Sequence, residues 1–189
     1  MKEIWNIVKP AFGIFGVMVL LCGFLYTGIV TGMAQTFFPD KANGSIITGK
    51  MKDGNEIKVG SNLLAQEFTE PKYFIGRPLG VSNLSPNSKE LKRIVEDRVE
   101  WWYKFGPNNS TAIPMDLVTS SGSGVDPNIS VEAAEFQIPR VAAKRGMNEE
   151  KVREIVKEYT SDKFLGIIGE PAVNVLKVNL ALDGFTTSD

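Results

Sequence analysis

The longest stretch without a charge lies near the N-terminus, where hydrophobic positions are continuous rather than periodic. No charged residue occurs between Lys9 and Asp40, and residues 11–30 are almost entirely apolar. A run of about 20 apolar residues is long enough to cross a bilayer as a helix. The pattern therefore predicts an N-terminal tail at residues 1–9, one transmembrane helix at residues 10–33 and a soluble domain at residues 34–189.

A secretory signal peptide is the alternative interpretation of this stretch. Lys2 and Lys9 provide a basic start, and Gly32-Met33-Ala34 is an acceptable small-x-small cleavage site. The apolar core is longer than the usual signal core of about 7–15 residues, which favours an anchor. Because Lys41 is the only basic residue close behind the helix, the two lysines before it favour a cytoplasmic tail and an extracytoplasmic domain.

Small residues recur along the predicted membrane helix. On a regular helix one stripe of them lies along a single face, and a small-xxx-small pair follows towards the far end. In lipid, close backbone approach over small residues is a main source of helix association. We therefore expect a partner helix on this surface, which self-association would also use. The residues are Gly13, Gly16, Gly23 and Thr27 in the stripe and Gly28 and Gly32 in the pair.

Behind the helix, the polar and apolar positions change period several times. Residues 45–60 predict a hairpin with Asp53-Gly54 as its turn. Ser85-Pro86 predicts the start of an amphipathic helix that ends at Gly106-Pro107, with Trp102 in the core and the role of Trp101 open.

The C-terminal half predicts two further helices. Ser130 is the expected cap of one, which Pro139 should kink or shorten, and the next begins at about Asn148. Residues 114–118 predict a short strand, and the alternation across residues 172–182 predicts another. The predicted fold class is α+β: one transmembrane helix followed by a single mixed domain with about three helices and a few strands.

The amino-acid composition excludes several kinds of catalytic site, metal site and cross-link. The 189 residues include no histidine and one cysteine, Cys22, so a Ser-His-Asp triad, a zinc site and an internal disulfide are excluded. The net charge of −1 gives no sign of a nucleic-acid-binding surface. We therefore predict no catalytic residues, no metal site and no nucleic-acid partner.

The most unusual loop runs from Thr119 to Asp126. Its glycines and serines, Ser121, Gly122, Ser123 and Gly124, are able to form an anion-binding nest, or simply a flexible connection. No Ser-x-x-Lys spacing occurs in the chain, so a serine nucleophile activated by lysine is not expected.

Several blocks of uncommon sequence occur in a fixed order behind the apolar helix. They are residues 60–68, 71–78, 83–86, 116–119, 121–124, 126–127, 137 with 140–142, 173–176 and 179–182. Together they resemble the C chain of potassium-transporting ATPases, the Kdp-type accessory subunit, over nearly the whole sequence. Two features depart from that pattern: Asn128 stands where the family usually has histidine, and the stretch after Gly76-Arg77-Pro78 is short.

The resemblance implies a non-catalytic subunit of a high-affinity potassium uptake pump in a prokaryotic cell membrane. Its implied partners are a channel-like K⁺-translocating subunit, a P-type ATPase catalytic subunit and a small membrane peptide, within the lipid bilayer. The implied role is to assist assembly and to raise the ATP affinity of the catalytic subunit. The resemblance implies no permanently bound cofactor, with ATP as a possible ligand through the catalytic subunit. The candidate nucleotide or partner contacts are Gln66, Arg77, Ser121, Gly122, Ser123, Gly124 and Asp126.

An extracytoplasmic domain conflicts with direct contact to ATP, because a bilayer core about 30 Å thick lies between them. An outer-face regulator of potassium entry is therefore an alternative function. A membrane-anchored hydrolase is a much weaker one, since the usual nucleophile partners are missing.

Overall fold

One long helix forms most of the N-terminal unit. The computed structural model describes residues 2–50, 56–106, 112–163 and 165–188. The chain divides into two compact units, Met1–Ser45 and Ile46–Asp189. In the first, helix α1 (Lys2–Met18), a π-helical segment (Val19–Tyr26) and α2 (Thr27–Phe37) are continuous, and the short α3 (Pro39–Ala42) follows.

The helix Lys2–Phe37 is long and apolar enough to cross a membrane, as predicted. None of its side chains is buried within this chain. A surface so apolar and so exposed is typical of a helix that contacts lipid or other helices.

A three-stranded antiparallel sheet opens the second unit. Strands β1 (Ile46–Lys50) and β2 (Glu56–Ser61) form the predicted hairpin, and β6 (Thr186–Ser188) joins the other edge of β1. The predicted turn at Asp53-Gly54 lies outside the described residues. Ile47 of β1 belongs to a small buried apolar cluster together with Leu176 and Leu180.

The main core is built from helices around a second small antiparallel sheet. Its strands are β3 (Asn128–Ser130), β4 (Thr160–Ser161) and β5 (Ala172–Asn174), in the order β3-β5-β4. The principal helices are α4 (Lys89–Phe105), α5 (Val131–Arg145), α6 (Glu149–Glu158) and α7 (Val175–Leu182). Trp102 is buried in this core, as predicted, whereas Trp101 is exposed.

The predicted strand across residues 172–182 is wrong beyond its first three residues. Asn174 caps a helix instead, because its Oδ1 accepts a hydrogen bond from the Lys177 N–H at 3.0 Å. Five of the eight α7 residues are buried. A short helix covered on most sides has no polar face, so its helical period is hidden in the sequence.

The predicted start of α4 at Ser85 is also wrong. Ser88 is the cap, with its Oγ accepting from the Leu91 N–H at 3.2 Å, and Ser85 opens the turn before it. The helix ends at Gly106, as predicted, and Pro107 lies outside the described residues.

Two further expectations need correction. The segment Met115–Leu117 is a 3₁₀ helix rather than a strand. Helix α5 begins after Ser130, as predicted, but Pro139 does not shorten it, and it ends at Gly146 with φ +63°. Helix α6 starts after Asn148, as predicted. The described part of the domain has four helices of eight or more residues and two small sheets, which confirms the predicted α+β class.

Candidate functional site

Two buried side-chain amides tie residues 71–78, here called the arginine segment, to helices α5 and α7. Gln137 Oε1 accepts from the Ile75 N–H at 2.8 Å, and its Nε2 donates to the Ile75 carbonyl at 3.0 Å. Asn179 forms the same pair of bonds with Phe74. Its Oδ1 accepts from the Phe74 N–H at 2.8 Å, and its Nδ2 donates to the Phe74 carbonyl at 2.9 Å. Each amide supplies the hydrogen bonds that a neighbouring strand would otherwise provide. The segment is therefore fixed by side chains rather than by a sheet.

Arg140 braces the beginning of the same segment from α5. Its guanidinium donates to the carbonyls of Pro71 and Tyr73 and, at 2.6 Å, to Gln137 Oε1. It also lies 4.7 Å from the centre of the Phe105 ring. No carboxylate pairs with it among the described residues, and burial lowers the pKa of Arg140 to about 10. The charge is held by carbonyl dipoles and a ring face instead of by an acid.

Arg77 lies where the arginine segment reaches the surface. Its Nη2 donates to the carbonyls of Thr119 and Ser120 at 3.4 and 3.3 Å. Its Nη1 is 3.9 Å from Asp126 Oδ2, and the Arg77 side chain is 25% exposed. All three contacts are long, so this guanidinium lies near its partners without being strongly bound by them.

The loop from Thr119 to Asp126, called here the serine loop, forms hydrogen bonds between its own backbone N–H groups and its own oxygen atoms. The Gly124 N–H donates to the Ser121 carbonyl at 3.1 Å, and the Val125 and Asp126 N–H groups donate to the hydroxyls of Ser123 and Ser121. Gly124 has φ +71°, and a Cβ there would lie 2.8 Å from the backbone of Gly80. These bonds hold the N–H groups of Gly124, Val125 and Asp126 within a packed turn.

Asp126 also accepts a hydrogen bond from the backbone that follows it. Its Oδ1 accepts from the Asn128 N–H at 3.0 Å and lies 3.4 Å from the Asn128 Nδ2. Asn128 thereby contributes a hydrogen-bonding amide beside Asp126.

Gln66 lies at the β2 side of the domain. Its Nε2 donates to the Val59 carbonyl at 3.2 Å. A Cβ on Gly60 would overlap that amide and lie 2.8 Å from Leu176 Cδ2, so a larger residue there would require the Gln66 and Leu176 side chains to move.

Two clefts meet at Arg77. The first, of about 340 Å³, is called here the arginine cleft and has Gln66, Arg77, Arg98 and Trp101 in its wall. The second, of about 570 Å³, is called here the acidic cleft. Its wall carries Arg77 and four carboxylates, those of Asp116, Asp126, Glu132 and Glu170. The structure thus brings Gln66 and Arg77 to one cleft and Arg77 and Asp126 to the other, and Ser121–Gly124 line neither.

Comparison with known proteins places this architecture in a family. The family model for KdpC, the c chain of K⁺-transporting ATPases, matches residues 8–184. The chain belongs to the KdpC family. The resemblance noted in the sequence is confirmed, and it includes both the apolar helix and the folded domain.

Curated KdpC relatives align over nearly their whole length. The chain is 52% identical over 186 residues to the potassium-transporting ATPase KdpC subunit of Listeria monocytogenes serotype 4a, covering 97% of this chain and 98% of the relative. It is 50% identical over 186 residues to that of Listeria innocua serovar 6a and 43% identical over 203 residues to that of Clostridium botulinum strain Alaska E43, with the same two coverages.

Sequence reasoning about this KdpC-family chain missed several residues that build the clefts. Arg98 was one charge among many on α4, and only the fold brings it into the wall of the same cleft as Arg77. Gln137 and Asn179 belonged to the family-like blocks, but nothing local indicated that they bind a segment 62 and 105 residues away. Trp101 carried the one usable signal, an aromatic side chain next to a core tryptophan.

The small residues of the membrane helix have free surfaces. A Cβ at Gly13, Gly16, Gly28 or Gly32 would meet nothing within 4 Å in this chain. The π-helical segment separates the first two from the last two, and its wider winding rotates one pair relative to the other. The alignment that a regular helix predicts is therefore altered across Val19–Tyr26.

Proposed function

We propose that this chain is a non-catalytic, single-pass subunit of a high-affinity, ATP-driven potassium uptake pump in the cell membrane of a prokaryote. One observation carries the proposal: the KdpC match extends over both the apolar helix and the folded domain, and the relatives are named as subunits of potassium-transporting ATPases. The partners are then a channel-like translocating subunit, a P-type catalytic subunit and a small membrane peptide.

The subunit assists assembly and raises the ATP affinity of the catalytic subunit. A helix with no buried side chain in its own chain offers its whole surface to lipid and to neighbouring helices. A domain braced by Gln137, Arg140 and Asn179 binds a partner without large ordering costs. If it binds the ATP-competent conformation of the pump best, linkage requires an equal gain in ATP affinity.

This coupling needs no direct contact with nucleotide. Lys2 and Lys9 before the helix favour a cytoplasmic tail, which places the domain outside the cell. The effect on ATP then travels through the membrane subunits.

A second candidate function is regulation of potassium entry at the outer face. It is favoured by the acidic cleft, whose described lining includes four acidic residues and one arginine. Carboxylates raise the local concentration of cations at a surface, which would help a high-affinity pump collect K⁺.

Labelling and kinetics together test these proposals. In a Cys22→Ala background, a cysteine at the exposed position 123 should react with an impermeant thiol reagent added to intact cells. Labelling only after lysis would place the domain inside. In detergent, omission of this subunit should raise the KM for ATP, and a photoreactive ATP analogue should label the catalytic subunit alone. Labelling of this chain would instead indicate direct nucleotide contact.

A further inference from the structure

The arginine cleft contains a guanidinium that no described carboxylate pairs with. Arg77 and Arg98 line the cleft, and Glu67 is the one acid among the described residues of its wall. Arg77 lies near Asp126, at 3.9 Å, which leaves Arg98. Arg98 donates from Nη1 to the Val118 carbonyl at 2.9 Å, and no described carboxylate lies within ion-pair distance of it. A half-buried guanidinium without a counter-ion is a site where a carboxylate gains a charge-assisted bond.

Trp101 supplies an apolar wall beside this charge. Its ring stacks on Phe105 at 4.4 Å and meets the edge of Trp102 at 5.0 Å, so its position is fixed by the core. The side chain nevertheless remains 44% exposed. Its indole N–H has no acceptor in the described part of the chain. An exposed, rigid tryptophan beside an arginine is the composition typical of interface hot spots.

We infer that the arginine cleft receives one carboxylate side chain, flanked by an apolar residue, from another subunit of the assembled pump. The carboxylate pairs with Arg98, and the apolar neighbour packs on Trp101. This inference rests on the proposed function, since it requires a partner subunit. It makes Arg98 and Trp101 the specific contacts of an interface.

Size and charge favour one carboxylate over a nucleotide or another polyanion. At about 340 Å³ the cleft is near the lower end of the range for small-molecule sites, about 300–1,000 Å³. Arg77 already lies 3.9 Å from Asp126, whereas Arg98 has no described carboxylate within ion-pair distance, so one guanidinium is left for a single carboxylate. The additional charges of a polyphosphate would face Glu67 without further cations in the wall.

Photo-crosslinking in the assembled pump tests the inference. A benzoylphenylalanine replaces Trp101, and the complex is irradiated in native membranes and purified. The expected adduct joins position 101 to another subunit within a few residues of an Asp or Glu. An adduct with phospholipid, or with a segment that contains no acid, would overturn the inference.

A charge-reversal experiment provides a second test of the inference. Arg98→Glu should weaken binding of this subunit to the remaining subunits by about 10- to 100-fold, as expected for a desolvated charge pair. Replacing the crosslinked acid by Arg should restore binding to Arg98→Glu. Arg93→Glu, at an exposed position on the same helix, is the matched control and should bind like wild type.

The two levels of proposal fail in different ways. If the wild-type chain does not co-purify with a potassium pump, the proposed function fails. If it co-purifies and Arg98→Glu binds equally well, the carboxylate site alone is wrong. Because Arg98→Glu loses the bond to Val118, its thermal unfolding is measured beside that of Arg98→Lys, which keeps the charge and should retain most binding.

Discussion

Gln137→Leu should strongly destabilise the folded domain, because it removes the centre of the polar brace around the arginine segment. The side chain is fully buried and forms hydrogen bonds with Ile75, Arg140 and Ala133. Leucine has a similar volume, so the substitution deletes the polar contacts without opening a large cavity.

The magnitude follows from the groups left without partners. The Ile75 N–H, the Ile75 carbonyl and one Arg140 N–H each lose a bond, and an unsatisfied buried polar group costs about 1–3 kcal/mol. Ile75 is only half-buried and Arg140 retains two carbonyl acceptors, so the lower part of that range applies. The expected loss is about 3–5 kcal/mol, a large share of the roughly 5–15 kcal/mol typical of a domain.

Urea unfolding of the full chain in detergent, followed by tryptophan fluorescence, measures the loss. Trp102 reports on α5, because its ring lies 5.7 Å from that of Phe136. With an m-value of about 2 kcal/mol/M, the midpoint should fall by about 1.5–2.5 M. Lys144→Ala, exposed on the same helix, is the control and should change stability by less than about 0.5 kcal/mol.

A loss below about 1 kcal/mol for Gln137→Leu would refute the reasoning, since Ile75 would then have adequate partners without the amide. Hydrogen exchange gives an independent check. The Ile75 amide should exchange at least ten times faster in the variant, whereas amides in α6 should change only as far as global stability does.

Three other outcomes follow from the geometry. Gly124→Ala should cost about 2 kcal/mol or more, because φ is positive and the added Cβ meets the backbone of the facing loop, whereas Gly122→Ala has open space and should be neutral in a thermal shift assay. Asp126→Asn should change stability by less than about 0.5 kcal/mol, because the amide oxygen preserves the turn and the lost ion pair is long; a large loss in urea unfolding would show that the charge itself matters. Replacing Gly16 and Gly23 by Leu should leave membrane insertion intact but reduce co-purification with the pump, and wild-type yield would show that the folded domain alone holds the complex.

The sequence alone predicted the features whose physical cause is local. An apolar run long enough for a bilayer needs no tertiary partner to be recognised, and the α5 cap at Ser130 and the αL ending at Gly146 depend on neighbouring backbone groups only. The hairpin was recognisable for the same reason. The family resemblance added the relationship to potassium-transporting ATPases, because whole blocks of residues carried it.

Tertiary structure decided the elements whose local preference was ambiguous. In α7 the alternation of apolar residues fitted a strand, and burial on most sides made a helix possible without a polar face. The sequence predicted Ser85 as the cap of α4, whereas Ser88 caps the helix in the structure, because Ser85 belongs to a turn that precedes it.

The clefts depended on contacts between residues far apart in the chain. Gln137 and Asn179 hold Ile75 and Phe74 through bonds that no local pattern encodes, and those bonds place Arg77 between two cavities. A buried amide is stable only where partners meet it, and those partners are supplied by the folded chain. The sequence by itself therefore determined the membrane helix and many element boundaries, and the fold determined which side chains share a site.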